Sequence, residues 1–396
     1  MPSIIQARSL GEADRMRVLI ISYFFPPGTD GAATLMYNLC KHLPKQFYRV
    51  ITAREDLGIY VWDNLGAFDP DYVLDCNAAR IPVRTNRFHD RIKFLFFSIL
   101  SGLFSNSKRQ YDSILAVYPD EFDLLSAYIL HKLTGKPLIV YMHDLYSEVR
   151  KEARLHRILE SFESRVFSSA SVVLVTNEKF RDYYLKRGVK NAVVLHSCID
   201  LDKEESAFIS GNQESTGKHL KIVFTGTVYG SNRDAVDAFL RASKKTDDVE
   251  VVFATPQKNT YFDVSIGFLP KKRCFELQRS ADVLFLPLSF THPSPEEMRV
   301  AFPCKVLEYL AAGKPILGVV PKGSYAEQLI EKFDLGIVVT EPSEDKIAEA
   351  IDRFKDKKTR EHYSKNASNI VKLFDAKIQA KRLCYVVDAI VQDKHR

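Results

Sequence analysis

AFPCKVLEYLAAGKPILG, residues 301–318, predicts a short helix that stops abruptly and continues into a strand. Pro303 suits the first position of a helix, and Gly313 suits the residue just past its end. Apolar segments typical of buried strands stand on both sides of this helix, at 282–288 and 315–320. A helix that connects two such strands is the building unit of a parallel α/β sheet.

Strand-like and helix-like segments alternate from this unit in both directions. Apolar runs rich in Val and Ile are separated by amphipathic stretches, which predicts two doubly wound parallel sheets, one in each half of the chain. The predicted strands are 17–25, 48–53, 113–118, 137–143, 171–177 and 192–197 in the first half, and 220–226, 249–256, 264–269, 282–288, 315–320 and 335–340 in the second.

A polar stretch, LDKEESAFISGNQESTGKH at 201–219, interrupts the alternation and predicts a linker between domains. The chain of 396 residues is also longer than one ordinary core supports. Since ligands of such sheets bind beyond the carboxyl ends of the strands, we expect a site in the crevice between two facing domains. The expected division is a disordered lead-in at 1–16, a first Rossmann-like domain at 17–200, the linker at 201–219, a second Rossmann-like domain at 220–375 and a C-terminal helix at 376–396.

Composition argues against several classes of protein. A net charge of +6 is modest for this length, and no run of Lys and Arg resembles a nucleic-acid-binding arm. The six cysteines are scattered without zinc-like spacing, which favours reduced thiols in the cytoplasm. The first residues lack the apolar core of a secretion signal, and no segment has the roughly twenty uninterrupted apolar residues of a membrane-spanning helix. The Asp-x-Asp at 69–71 is interpreted as a turn and not as a metal site.

Lys305 is unusual because it stands in the first turn of the predicted helix, where the helix dipole disfavours a cation by about 0.3–1 kcal/mol. A phosphate bound there would explain it, since the ammonium and the dipole would act on the same anion. Glu308 lies three residues further on the same face and suits the hydroxyl pair of a ribose. A surface ion pair is the alternative, although Lys preceding Glu is the poorer order for one.

Two glycine-containing turns, FFPPGTDGAAT at 24–34 and FTGTVYGSNRDAV at 224–236, follow predicted strands. Glycines at this place let the backbone approach a ligand, and the free N–H groups at a helix start attract anions. Capped helix starts without any ligand are the alternative. The candidate ligand-binding residues are Gly31 in the first turn and Gly226, Thr227 and Arg233 in the second.

A basic stretch, RIPVRTNRFHDRIK at 80–93, runs directly into the apolar stretch FLFFSILSGLF at 94–104. Basic residues beside bulky apolar ones can hold a helix on an anionic membrane surface. An ordinary buried helix with a solvated basic flank is the alternative. The candidate membrane or acceptor surface consists of Arg84, Arg87, Arg91, Lys93 and Phe94.

Together these segments resemble the family 4 glycosyltransferases of the GT-B fold, over nearly the whole chain from about Arg17 onward. The most specific match is KVLEYLAAGKPIL, with the core F-x-x-K-x-x-E-Y at 302–309. The strand followed by FPP…G, the segment HDLYSE at 143–148 and the segment TNEKFRDYYLKRGVKNAVVLHSCID at 176–200 are similar to further motifs of that family.

The resemblance implies two facing Rossmann-like domains and a C-terminal helix that returns to the first domain. It implies transfer from a nucleotide-sugar donor with retention at the anomeric carbon, without a metal or a bound cofactor. As implied catalytic residues, Lys305 would neutralise the leaving diphosphate, and His143 and Asp144 would face the sugars and the acceptor. Glu308 would hold the ribose. The other implied donor-binding residues are Gly31, Gly226, Thr227, Arg233, Gly267, Phe268, Leu269 and Phe302.

The chain departs from the family's pattern at four places. The Arg and Lys that the family has after the first strand of the second domain are not cleanly present, and we expect Arg233 to stand in for one and Lys305 for the other. Val300 stands where many members have the first glutamate of a Glu-x7-Glu pair, HSC at 196–198 replaces PNG, and Asp30-Gly31 replaces Gly-Gly. We expect a cytoplasmic hexosyltransferase, peripheral on the inner face of the plasma membrane, that acts on a glycan or lipid-linked acceptor in polysaccharide or glycolipid synthesis. The alternatives are a catalytically weak GT-B protein that binds a glycan or partner, and a sugar-nucleotide epimerase.

Overall fold

A computed structural model describes residues 17–26, 31–55, 77–83, 88–107, 111–145, 153–202, 219–256, 265–267 and 269–394. Within these residues the chain forms two parallel sheets, with helices between most pairs of successive strands. This confirms the α/β architecture predicted from the alternation. The predicted lead-in and most of the predicted linker lie outside the described residues.

The first sheet contains the described strands β1 (Val18–Ile21), β2 (Tyr48–Glu55), β3 (Ala78–Val83), β4 (Ser113–Tyr118), β5 (Leu138–Met142), β6 (Val172–Val175) and β7 (Ala192–Val194). Their order is β3-β2-β1-β4-β5-β6-β7, and all neighbouring strands pair in parallel. Leu19 and Ile21 lie in one apolar cluster, and Val18 and Ile20 lie in another. Burial on both faces explains why these strands are continuous apolar runs.

The second sheet contains the described strands β8 (Leu220–Thr225), β9 (Val249–Ala254), β10 (Val283–Pro287), β11 (Ile316–Val319) and β12 (Gly336–Val339). Their order is β12-β11-β10-β8-β9, again with parallel pairing. The sheet also has an apolar cluster on each face. Since both sheets are parallel, each gathers the carboxyl ends of its strands at one edge.

The described helices are α1 (Gly31–Lys41), α2 (Phe88–Ser107), α3 (Glu121–Thr134), α4 (Ala153–Ser169), α5 (Glu178–Lys186), α6 (Arg233–Ser243), α7 (Lys271–Arg279), α8 (Pro295–Val300), α9 (Lys305–Ala311), α10 (Tyr325–Lys332), α11 (Glu344–Arg353), α12 (Lys357–Ile370) and α13 (Ala376–Asp393). A short 3-10 helix, Val371–Phe374, precedes α13. The last helix packs against α1, and Leu383 and Val387 share an apolar cluster with Leu35. This confirms the predicted return of the C-terminal helix to the first domain.

One strand prediction is wrong, and one strand was not predicted. Within the predicted strand 264–269, the described residues 265–267 and 269 form only a single bridge, between Phe253 and Ser265, because Gly267 has a positive φ of 74° that ends the extended backbone. Strand β3 was not predicted, since Arg80 and Pro82 interrupt its apolar pattern. As the edge strand of its sheet, β3 accommodates a proline that a central strand would not.

Candidate active site

Lys305 and Glu308 form the centre of the candidate site. Helix α9 buries Val306, Leu307, Leu310 and Ala311, as predicted, and leaves these two polar side chains about one third and one quarter exposed, at 34% and 24%. Lys305 Nζ lies 2.9 Å from Glu308 Oε2. The predicted juxtaposition of a cation and a carboxylate on one face is therefore present.

Gln278 on α7 anchors Glu308 to the second sheet. Its Nε2 donates to Glu308 Oε2 at 2.9 Å and to Thr225 Oγ1, at the end of β8, at 2.7 Å. Its Oε1 is buried and has no hydrogen-bond partner in the described part of the chain. Lys271 and Cys274 precede Gln278 by seven and four residues, so all three share one face of α7. The sequence analysis did not single out this helix.

Burial and charge oppose each other in the Lys305–Glu308 pair. Burial acts to lower the pKa of Lys305, but the Glu308 carboxylate outweighs it, and the pKa of the ammonium lies above its ordinary value. Burial acts to raise the pKa of Glu308, but the charges of Lys305 and Lys271 hold it below its ordinary value. Both groups are therefore ionised at neutral pH, and the site contains a fixed cation.

Gly226, directly after β8, makes room for Lys305. Its φ is 144°, which L side chains rarely adopt, and a Cβ built there would lie 3.4 Å from Lys305 Cε. The Gly226 N–H donates to the Ala254 carbonyl at 2.9 Å, so the prediction that this amide contacts a phosphate is wrong. What the glycine contributes is the close approach of the β8 turn to the ammonium.

Asn232 folds the loop that follows Gly226. Its Oδ1 accepts from the Tyr229 N–H at 2.9 Å, and its Nδ2 donates to the Thr227 carbonyl at 3.0 Å. Thr227 itself is exposed. Arg233, the predicted cation, is exposed at the start of α6, and its side chain forms no hydrogen bond or ion pair with a described residue. Its contact with a donor stays a prediction.

The first domain meets the second at two points near the site. A Cβ built at Gly31 would lie 3.6 Å from Cys304 Sγ, so the starts of α1 and α9 approach each other across the crevice. Asn177 Nδ2 donates to the Val300 carbonyl at 2.8 Å. The Val300 side chain lies in an apolar cluster of the first domain, where a carboxylate would be costly to bury. This burial accounts for the absence of a glutamate there.

His143 and Asp144 follow β5. The His143 ring packs edge-on against Tyr141, 4.4 Å between centroids, and both ring nitrogens are buried without a hydrogen-bond partner among the described residues. Burial lowers the pKa of His143 to about 3, so its imidazole is neutral at pH 7. Asp144 is exposed to the crevice. The surrounding protein nevertheless desolvates its carboxyl and raises the pKa to about 6, and the negative charge of Glu297 contributes to this rise.

Asp144 stands close to groups of the second domain that the sequence analysis missed. Burial, with the added charge of Asp144, raises the pKa of Cys304 to about 11, so this thiol is protonated at neutral pH. The same two causes raise the pKa of Tyr229. Because these residues come from separate loops, no sequence spacing connects them. Together with Glu297, they make the crevice a site to which both domains contribute.

The four remaining residues predicted to bind the donor have different surroundings. Phe302 is buried against Tyr325 and Phe374, with ring centroids 5.6 and 5.8 Å away, and its contact with a donor stays a prediction. Gly267 and Leu269 directly precede α7, and their contact with a base stays a prediction. Phe268 lies outside the described residues.

The predicted basic-apolar surface is only partly present. Arg91 NH1 lies 2.5 Å from Asp120 Oδ2, and Phe94 is fully buried, so the predicted exposure of these two side chains is wrong. Lys93 is exposed. Arg84 and Arg87 lie outside the described residues. Helix α2 therefore faces inward at Phe94 and outward at Lys93.

Within the described ranges, no group of three or more His, Cys, Asp or Glu side chains is placed to hold a metal ion. None of the helices in those ranges is both long enough and apolar enough to span a membrane.

Two family models match the chain on either side of the linker. One, Glycosyltransferase Family 4, matches residues 29–203, and the other, Glycosyl transferases group 1, matches residues 264–370. The second match contains α7, α8 and α9, and the first contains Gly31, His143 and Asp144. No curated protein sequence matches the chain.

Solved structures share the arrangement of the two domains. Anabaena Alr3699/HepE in complex with UDP has 13% sequence identity and a TM-score of 0.68, over 94% of this chain and 100% of that chain. The complex of the same protein with UDP-glucose gives 13% and 0.67, over 95% and 100%. WaaG, a glycosyltransferase involved in lipopolysaccharide biosynthesis, has 15% identity and a TM-score of 0.63, over 93% and 99%. At such identities the likeness concerns the fold.

Proposed function

The chain belongs to the family 4 glycosyltransferases of the GT-B fold, and from that premise we propose that it transfers a sugar from a nucleotide-sugar donor to a glycan or lipid-linked acceptor. The transfer retains the configuration at the anomeric carbon and requires no metal. The observation that supports this proposal most directly is the ionised Lys305–Glu308 pair beneath the β8 turn, at the place where both domains meet.

Lys305 supplies the charge that the reaction needs. Cleavage of a sugar–phosphate bond builds negative charge on the departing diphosphate, and a fixed cation beside it lowers the barrier. One of the three ammonium hydrogens is used by Glu308, which leaves two for phosphate oxygens. Because burial reduces the screening by water, the ammonium acts more strongly here than on an open surface.

Glu308 holds the ribose of the donor. Its Oε2 accepts hydrogen bonds from Lys305 and Gln278, while Oε1 accepts none from the described residues. An ionised carboxylate with one oxygen fixed and the other available suits a pair of vicinal hydroxyls. The similar Anabaena structures are complexes with UDP and UDP-glucose, both of which carry such a ribose, and this supports a nucleotide sugar as the donor.

His143 and Asp144 face the acceptor side. The neutral imidazole of His143 can form one hydrogen bond through each nitrogen without repelling a cation. The carboxylate of Asp144, ionised at neutral pH, can accept a hydrogen bond from the attacking hydroxyl and take up its proton. We place the reaction in polysaccharide or glycolipid synthesis at the inner face of a membrane, where a lipid-linked acceptor is found.

The test is nucleotide release from a panel of nucleotide sugars, with and without glycan and lipid-linked acceptors. We expect acceptor-dependent release of a nucleoside diphosphate, lowered about a hundredfold to a thousandfold by Lys305→Met, as is typical for the loss of one donor to a developing anion. The control is Lys346→Met, an exposed lysine on α11 whose loss should change nothing.

Three results contradict the proposal. Interconversion of the donor sugar without an acceptor identifies an epimerase. Nucleotide binding without any cleavage identifies a glycan- or partner-binding protein. If Lys305→Met retains full activity, the ammonium does not have the role assigned to it here, even if the protein is a transferase.

A further inference from the structure

The start of helix α5 lies at the same sheet edge as His143 and Asp144. Strands β5 and β6 are neighbours in the first sheet, and Met142, the last residue of β5, pairs with Val175, the last residue of β6. The chain therefore leaves both strands at the same level. Two residues after β6 it enters the stretch 177–179, the cap and the first two residues of α5, which we call the contact segment. Any part of the second domain that the contact segment holds is fixed close to the end of β5.

Asn177 uses both ends of its amide. Its Oδ1 accepts from the Phe180 N–H at 2.9 Å and so caps α5, while its Nδ2 donates to the Val300 carbonyl of the second domain at 2.8 Å. The side chain is fully buried. A buried polar group that loses its partner costs more than the hydrogen bond itself contributes. The cap therefore orients the amide, and the amide fixes the segment that precedes α9.

Lys179 reaches a different part of the second domain. Its Nζ donates to the carbonyl of Gly323, in the turn between β11 and α10. The second domain holds this turn as well, because the Gly323 N–H donates to Glu327 Oε2, and Ser324 Oγ accepts from the Glu327 N–H at 3.1 Å. Burial lowers the pKa of Lys179, and the charge of Glu327 acts against this change. A half-buried ammonium beside a fixed carbonyl and a carboxylate makes a directed contact, unlike a solvated surface charge.

Glu178, the middle residue of the contact segment, faces the second domain as well. Burial raises the pKa of Tyr325, and the charge of Glu178, with a hydrogen bond to it, adds to this rise. His196 Nε2, from the chain after β7, lies 3.5 Å from Glu178 Oε1, so groups of both domains surround this carboxylate. All three side chains of the contact segment are therefore directed towards the second domain.

The contacts of Asn177 and Lys179 lie on either side of the unit that carries the candidate site. Val300 stands five residues before Lys305, and the Gly323 turn follows β11, the strand that comes after α9. Packing of Phe302 on Tyr325, the first residue of α10, joins the two sides to each other. The first domain therefore holds α9 and β11 from both ends.

We propose that Asn177 and Lys179 are positioning residues, which hold the Lys305 ammonium at a fixed place opposite the end of β5. Each acts through a backbone carbonyl of the second domain. Groups from two domains must meet in one geometry for a transfer, and a misplacement of about 1 Å can lower a rate about a hundredfold. This inference rests on the proposed function, because it concerns how donor and acceptor are brought together. An interdomain contact that contributes only to stability is the alternative.

Two substitutions remove these contacts and keep the local fold. Asn177→Asp retains the oxygen that caps α5 but replaces the donor to Val300 by an acceptor, and Lys179→Met retains the length of the side chain without its ammonium. We expect each to lower kcat about tenfold in the nucleotide-release assay and to leave UDP affinity within about twofold, because the donor-binding side chains of the second domain are untouched. Lys179→Arg, which can still donate to the Gly323 carbonyl, should recover most of the activity.

Matched controls make the same chemical changes away from the second domain. Asn191 Nδ2 donates to the Ala170 carbonyl at 2.7 Å, and Lys394 Nζ donates to the Gly135 carbonyl. These four residues belong to the first domain or to the chain at the end of α13, the helix packed on that domain. Asn191→Asp and Lys394→Met should therefore lower thermal stability at most and leave kcat unchanged.

The contacts can also be measured without turnover. In the double variant Asn177→Asp with Lys179→Met, backbone hydrogen exchange with UDP present should be faster in the segments 295–304 and 321–327 than in the unaltered chain. The control variants should exchange at the original rate there.

The proposal is overturned if the variants and the controls have the same kcat, if UDP affinity falls as much as kcat, or if exchange in both segments is unchanged. If the unaltered chain cleaves no nucleotide sugar, the proposed function fails. The exchange result alone then decides whether the contact segment holds the second domain, so the two failures are distinguishable.

Discussion

His143 directly follows β5, and both of its ring nitrogens are buried without a hydrogen-bond partner among the described residues. Its pKa of about 3 lies below the ordinary value of 6.5, so the folded protein favours the neutral ring. Because the pKa of His143 is lower in the folded protein than in the unfolded chain, the unfolded chain binds the proton more readily. The folded protein therefore loses stability as the pH falls from the ordinary pKa of the histidine towards its pKa in the folded state. Acidification in that range therefore destabilises the fold through this residue.

We expect His143→Phe to make stability less dependent on pH. Between pH 7 and pH 5 the histidine should cost the folded protein about 1–2 kcal/mol, and the phenylalanine, which keeps a ring but cannot ionise, should remove that loss. Urea unfolding at both pH values measures the difference. His219→Phe, at an exposed histidine, is the control. Equal losses in the unaltered chain and in His143→Phe would contradict the buried, neutral state.

Gln278 acts on the donor only through Glu308, as a positioning residue. Gln278→Leu removes the bonds to Glu308 and Thr225, and we expect nucleotide binding to weaken about fivefold to tenfold, close to the net worth of one such hydrogen bond. The turnover at saturating donor should change little. Calorimetry with UDP and a comparison of KM with kcat measure this.

Gln379→Leu is the matched control for that substitution, since Gln379 is equally buried but bonds to the Leu373 carbonyl at the start of α13, outside the crevice. It should lower thermal stability without changing nucleotide affinity. The assignment of Gln278 fails if the two variants bind UDP equally well.

Sequence predicted the Lys305–Glu308 pair because three residues separate the two side chains on one helix, and helical geometry then fixes their distance. Gln278 could not be found in this way. It lies thirty residues before Glu308 on another helix, and a glutamine within a helix has no spacing signal of its own. The burial of Phe302 was not predicted, because an aromatic side chain beside a motif suits a core and a ligand site equally well.

At the scale of an element, we expect the conformation of the turn after β8 to depend on Gly226. Gly226→Ala places a Cβ 3.4 Å from Lys305 Cε at a φ of 144°, so we expect a loss of about 1–2 kcal/mol of stability and lower transferase activity. Gly230→Ala, four residues later, meets nothing within 4 Å and should have little effect. Thermal unfolding and the nucleotide-release assay measure both; similar behaviour of the two variants contradicts the argument.

The elements that sequence predicted well are the central strands, whose two buried faces favour apolar residues at most positions. The edge strand β3 was missed for the opposite reason, because one open side allows Arg80 and Pro82. The segment 264–269 has a strand-like composition, but Gly267 adopts a positive φ that composition does not report. Helix α2 was recognised by its apolar residues, while the face that each residue occupies depends on its packing against α3.

At the scale of the whole molecule, the two facing α/β domains followed from the alternation, and the particular residues at which the domains meet did not. The approach of Gly31 to Cys304 and the bond from Asn177 to Val300 join residues far apart in sequence, between loops with no shared periodicity. The absence of a glutamate at position 300 became understandable only when the structure placed Val300 among apolar residues of the other domain.

The position of Val300 has a mechanical consequence. Its carbonyl and side chain are anchored in the first domain, while Lys305, five residues later, begins a helix of the second. The short segment between these two residues connects the domains, so a rotation of one domain relative to the other would pull on the start of α9. If the proposed transferase opens its crevice after the transfer, the Lys305 ammonium would shift with the start of α9, and the leaving diphosphate would lose the cation that held it.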